Sequence, residues 1–386
     1  MLFCCVTNIT KLHSSLLDKT KEFAGVLHPT LLKNLVIVGC AILLKETVNL
    51  NKLKNALGLL LANQDTLPNS HYRRLTRFFD QPVAKRHLWK WLMIWLIHYI
   101  RQWDGRSMSL FLTFDATCWE FGQTRIQLLV LSLVYRGISL PLCWVDLAKK
   151  GHSSQQERKR LLQMAATLYD LRGFCLLADR EYVGRGWFTF LDELGLFFII
   201  RLSRQDYKDE ISAGGKSYGS LLKRALTGKL VSQDIRIGQG CYQFVATCHQ
   251  DGPNGTDPLV LLLTNTTWSK QKVLARYRIR WYTEPLFRHL KSNGFDLEAI
   301  GFENRQKIRL MVAIVVVLYV ICVAEGLKHF DRIGSKRYAD GRVSDSESVF
   351  RVGYGVVANR LTTIEHFLEW LLGAMHQKVK VPKPAS

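Results

Sequence analysis

The chain has 386 residues, with 53 Lys and Arg against 32 Asp and Glu and a formal charge of +21. That length supplies more than one structural unit and at least one sizeable core. An apolar share of 48% excludes wholesale disorder, and the positive excess points to a polyanionic partner, either nucleic acid or an anionic membrane.

The first residues, MLFCCVTNITKLHSS, lack a basic stretch followed by a sustained apolar run, so no secretory signal is expected. The longest apolar runs, Leu35–Leu44 and Leu310–Ala324, hold ten and fifteen residues. A spanning helix needs about 20, so both read as buried core segments and no membrane association is expected. Nine cysteines, with no CxxC pair and only Cys4 and Cys5 adjacent, read as reduced thiols of a cytoplasmic protein.

Residues 1–95 read as a helical, basic region, with 15 Lys and Arg against 6 Asp and Glu up to residue 110. Residues 49–64 carry apolar side chains at helical spacing. After a break at Asp65–Asn69, Ser70 is placed as the N-cap of a second helix. Its buried face would hold Tyr72, Leu75 and Phe79, with Arg73, Arg74 and Arg77 outward. Such a pair suits a helix-turn-helix reader of DNA ends; a helical hairpin with solvated arginines fits the same pattern.

Beyond residue 105 the pattern becomes strand-like at 109–114, 125–137 and 139–147. Ser154 and Glu157 form a capping box that starts a helix running to Gly173. A strand at 174–179, a helix at 186–194 and a strand at 197–202 complete an α/β unit with a mixed sheet, spanning 105–203. Residues 204–263 interrupt it as a β-rich insertion, with strand-like pieces at 232–237 and 241–248. A strand at 257–266 and a basic helical segment at 268–294 open a second portion, 264–330, followed by a helical region and tail over 331–386.

Two carboxylates end apolar strands: Asp115 after SLFLTF and Asp179 after FCLLA. Ligands of doubly covered sheets gather at the carboxyl ends of strands. Two acids placed there repel unless a cation neutralises them, and oxygen ligands without a His/Cys set favour Mg²⁺ or Mn²⁺ over zinc. Tyr277, Arg280, Glu284 and Lys291 lie at offsets of 0, 3, 7 and 14 residues. On a regular helix they share an arc of roughly 60°, a face suited to phosphate and metal rather than to a core. Pro285 removes a helical N–H, so a kink or restart is expected there.

These residues resemble the DDE transposases of bacterial insertion sequences, in the IS-four-like branch with a Tyr-x2-Arg-x3-Glu-x6-Lys signature. Every spacing of that signature is kept from Tyr277 to Lys291. Asp115 in DATCWEFG and Asp179 in ADREYVG match the family's two aspartate motifs. The resemblance covers about Asn49 to Lys328. It implies a ribonuclease-H-like catalytic core interrupted by the insertion, preceded by the helical DNA-binding region and followed by C-terminal helices. It implies that Asp115, Asp179 and Glu284 hold two Mg²⁺ ions, replaceable by Mn²⁺, for in-line displacement at phosphorus. Tyr277, Arg280 and Lys291 would contact DNA phosphates. The implied partners are double-stranded DNA, as terminal inverted repeats and target, and a second copy of the chain in the synaptic complex, with Thr363–Met375 a candidate interface. A regulatory DNA-binding relative, or a nuclease without strand transfer, would share most of these features.

Overall fold

The computed structural model describes residues 28–61, 65–103, 110–149, 151–248, 258–338, 341 and 343–361. Cys4, Cys5 and the Thr363–Met375 segment lie outside the described residues. All cysteines within them are free thiols. The chain divides into two compact units, one built from residues 108–118 and 126–286, the other from 1–107, 119–125 and 287–386.

The first of these is an α/β unit around an eight-stranded mixed sheet. Its strands are β1 (Phe111–Phe121), β2 (Thr124–Tyr135), β3 (Ile138–Asp146), β4 (Cys175–Ala178), β5 (Phe197–Arg201), β6 (Val231–Ile237), β7 (Gly240–Cys248) and β8 (Leu259–Thr264). The order across the sheet is β3-β2-β1-β4-β5-β8-β7-β6. β1, β4 and β5 run parallel; the β5–β8, β8–β7 and β7–β6 pairs are antiparallel. β3 is antiparallel to β2, which follows β1 through a two-residue turn at Gly122 and Gln123. β1, β3, β4 and β5 therefore deliver their carboxyl ends to one edge.

Helices cover both faces. α5 (Gln155–Leu168) and α6 (Arg185–Glu193) follow β3 and β4. On the other face, Val273 and Tyr277 of α9 (Lys270–Tyr277) join a core with Cys175, Leu177, Ile199, Val260 and Leu262. The capping box is present, with Ser154 and Glu157 each bonding the other's backbone N–H. The helix ends at Leu168 rather than Gly173; Gly173 instead takes φ +79° in the turn into β4, a conformation that favours glycine.

The segment read as a β-rich insertion departs from expectation in two ways. It begins with two helices, α7 (Lys208–Ala213) and α8 (Tyr218–Leu226), and β6 and β7 extend the central sheet through β8 instead of forming a separate one. Short amphipathic helices of one or two turns leave a weak periodic signal, and strand pairing partners are a nonlocal property.

The helical unit contains α1 (Pro29–Lys45), α2 (Leu50–Leu60), α3 (Pro68–Asp80), α4 (Trp89–Arg101), α11 (Arg305–Leu327) and α12 (Val349–Leu361). α11 is long and apolar enough to cross a membrane by length and composition, yet 89% of its apolar window is buried inside the protein. It packs against α1, α3, α4 and α12. Helix α3 starts three residues earlier than an N-cap at Ser70 implies, with Pro68 in its first turn and Leu67 at the cap position; proline presets the helical φ there. Its buried face is His71, Leu75, Phe78 and Phe79, while Tyr72 is exposed. A small antiparallel ribbon, β9 (Ser335–Arg337) with β10 (Val343–Asp345), precedes α12.

Candidate active site

Phe114 and Ala178 form the last paired rung between parallel β1 and β4. Asp115 and Asp179 are the next residues on each strand, so they stand side by side at the carboxyl edge. Side chains alternate along a strand, so both carboxylates share the face of Cys175 and Leu177, the face that α9 covers. Asp115 Oδ1 accepts from the Ala116 N–H at 2.8 Å and Asp179 Oδ1 from the Arg180 N–H at 2.8 Å.

The segment from 268 to 294 is three pieces rather than one helix. α9 ends at Tyr277, a 3₁₀ turn spans Arg278–Tyr282, and α10 runs Thr283–Leu290. Pro285 sits in the first turn of α10, where no intrahelical N–H is needed, so the proline marks a restart. The tighter turn also changes the angular offset between Tyr277 and Glu284 calculated for a regular helix.

Arg280, in that 3₁₀ turn, is 7% exposed and donates from Nη1 to Asp115 Oδ2 at 3.4 Å. Burial pushes the Asp115 carboxyl up to about 6; the Ala116 N–H and Arg280 oppose this, and the charges of Asp179 and Glu181 reinforce it. Burial works against the charge on Arg280, but Tyr277, Asp179 and Asp115 outweigh it and hold the guanidinium above its ordinary value. Burial raises the Tyr277 phenol. Tyr277 Oη and Arg280 Nε are buried and make no hydrogen bond of good geometry. Arg201, at the end of β5, acts electrostatically on Tyr277, whereas its sequence context favours a solvated face over a DNA contact.

Glu284 lies in the first turn of α10. Among the described residues no three His, Cys, Asp or Glu side chains converge as a ready metal-ligand group. The pair Asp115 and Asp179 suits a hard cation nonetheless, because Mg²⁺ is commonly held by one or two carboxylates, with water and phosphate completing its shell. The partly buried carboxyl of Asp115, which burial holds above its ordinary range, is also what a cation would relieve.

Lys291 belongs to the helical unit, where its Nζ lies 3.4 Å from Glu298 Oε1 and 5.6 Å from the Trp119 ring. In the same unit Arg73 and Arg77 are exposed on α3. Arg74 differs from expectation: it is half-buried and donates from Nε to Asn34 Oδ1 at 3.0 Å. The phase of α3 set by His71, Leu75 and Phe78 turns it toward α1. Trp268 packs at 6.1 Å from Phe111.

In the sequence Glu181, two residues past Asp179, reads equally as an orienter of the site or as a local turn salt bridge, and His152 shows no ligand spacing. The structure brings His152 Nδ1 within 3.0 Å of Glu181 Oε2, because the loops after β3 and β4 emerge at one edge. Burial raises the Glu181 carboxyl, but bonds from Ser153 and His152 outweigh this and hold it below its ordinary value.

Residues 106–321 match the transposase DDE domain family. The chain belongs to that family. The matched DDE domain contains Asp115, Asp179 and Glu284. No curated protein matches the chain. Among solved structures it is similar to the piggyBac transposase in a synaptic complex with hairpin DNA, at 10% identity and a TM-score of 0.49, over 100% of this chain and 86% of that one.

Proposed function

We propose that the protein is a transposase of the branch with the Tyr-x2-Arg-x3-Glu-x6-Lys signature, cutting DNA at the ends of an insertion sequence and joining them to target DNA. The observation that carries this reading is the pair Asp115 and Asp179 on adjacent parallel strands, with Arg280 bonded to Asp115, inside a DDE domain.

Asp115 and Asp179, with Glu284, would hold divalent ions, Mg²⁺ or Mn²⁺, which when bound activate a water or 3′-hydroxyl and stabilise a leaving oxygen. Arg280 neutralises the aspartates in their absence and offers its remaining donors to a phosphate. Tyr277 flanks it, and Lys291 is assigned a further phosphate contact. Such contacts fix register on DNA without reading sequence. Arg73 and Arg77 are the end-reading side chains of the region 1–95, with Arg74 anchoring their helix. The catalytic core is assigned to 105–203 and 264–330, the insertion to 204–263 and the C-terminal region to 331–386. The partners are terminal inverted repeats, target DNA and a second copy, in the cytoplasm.

Mg²⁺-dependent nicking at element ends should vanish in Asp115→Ala, Asp179→Ala and Glu284→Ala while end binding persists. Retained nicking would overturn the assignment. Nicking without joining to a target plasmid would leave a nuclease; end binding without nicking, a regulator.

A further inference from the structure

Glu181 sits two residues past Asp179 and gathers donors from a distant part of the chain. Its Oε1 accepts from the Ser153 N–H at 3.0 Å and from Ser153 Oγ at 2.9 Å, and its Oε2 faces His152 Nδ1. Ser153 is held from behind by Arg158 of α5, whose Nε donates to Ser153 Oγ at 2.8 Å and whose Nη2 donates to the Ser153 carbonyl at 2.6 Å. Arg158 is only 6% exposed, and its Cζ lies 4.9 Å from the Tyr182 ring centroid. Tyr182 in turn packs edge-on against Phe114 at 5.1 Å.

The contacts form one path. It starts at α5, passes through Ser153 and Glu181 to the turn behind Asp179, and through Tyr182 reaches Phe114, the residue before Asp115. A local turn salt bridge would not need a buried guanidinium or two groups of Ser153. Buried polar networks that are well satisfied fix one arrangement of the elements they join.

We propose that Glu181 is a positioning residue for the aspartate pair, locking the turn that carries Asp179 to the start of α5. The inference rests on the functional reading above. Outer partners of this kind typically contribute 10- to 100-fold to metal affinity or activity.

The test uses the full chain, Mn²⁺ titrations followed by electron paramagnetic resonance, and end nicking. Glu181→Ala is expected to weaken Mn²⁺ binding and slow nicking by about 10- to 100-fold, with DNA-end affinity unchanged. Glu181→Gln keeps an acceptor oxygen for Ser153 and is expected to recover most of both. Mn²⁺ binding and nicking at parental levels in Glu181→Ala would overturn the proposal. So would a Glu181→Gln variant as impaired as Glu181→Ala, since charge rather than geometry would then be responsible. Should Glu181→Ala melt early, Ser153→Ala replaces it, with a smaller loss expected and parental Mn²⁺ affinity overturning the proposal. Asp115→Asn separates the two readings. If it still nicks, the transposase reading fails; if it is inert while Glu181→Ala is parental, only the positioning role fails.

Discussion

Asp115 and Asp179 each occupy the first position beyond the last paired rung of two neighbouring parallel strands, Phe114 opposite Ala178. Adjacent strands are about 4.8 Å apart, so the fold itself imposes the proximity of the two carboxylates. The measurable consequences concern charge in a partly dry site.

Asp115→Asn is expected to stabilise the metal-free protein above neutral pH. Its folded pKa, raised to about 6, lies above the unfolded value, so the group favours folding at low pH and loses that contribution as pH rises through 6. At pH 8 the gain should be on the order of 2 kcal/mol, fading to nothing near pH 4. Melting curves across that range check it, and Mg²⁺ should stabilise the parent but not the variant.

Arg280→Ala has the opposite sign. It removes the counter-charge from two neighbouring carboxylates, and removing one partner of a buried pair costs about 3–5 kcal/mol at most. The loss should be larger at pH 8 than at pH 5, where Asp115 is protonated. Denaturant titrations at the two pH values measure it. Arg280→Lys should restore stability better than nicking, because a point charge replaces a planar fork.

Replacing both Arg73 and Arg77 by Ala should lower the slope of log affinity against log salt by about 2 and erode preference for element ends. Arg74→Ala should instead lower the melting temperature, since its Nε bonds Asn34. Filter binding at several salt concentrations and thermal melts distinguish these outcomes. Truncation is the poorer test, because α1, α3 and α4 pack on α11 in one core.

Lys291→Ala should reduce the same slope by about 1, uniformly across DNA sequences. An unchanged slope would reject a phosphate contact at that residue.

Gly353→Ala should destabilise the helical unit by about 1–3 kcal/mol. A methyl there would collide with the Cys322 carbonyl of α11, as one on Gly326 would with the Val349 carbonyl of α12. Urea unfolding monitored by helicity tests this crossing.

The end of β4 was legible because a short apolar run terminates there in Asp179, and local pattern carries such information; Asp115 reads the same way, yet β1 continues past it to Phe121 and holds it mid-strand, one step beyond the last rung shared with β4. The capping box at Ser154 and Glu157 was legible for the same reason. The phase of α3 was not: its aromatic residues Tyr72, Phe78 and Phe79 are spread round the helix and offer competing faces, and the folded structure buries His71, Leu75, Phe78 and Phe79.

The surplus of positive charge and the order of the acidic and basic motifs are properties of sequence, and they point to DNA and phosphoryl chemistry. Tertiary structure alone decided that Arg280 is buried against Asp115, that β6 and β7 prolong the central sheet, and that Glu181 is tied to Ser153 across 28 residues. Spacing along a chain sets which residues share a local face. Strand order, loop convergence and burial set which distant groups meet, and only those fix the field that each charge feels.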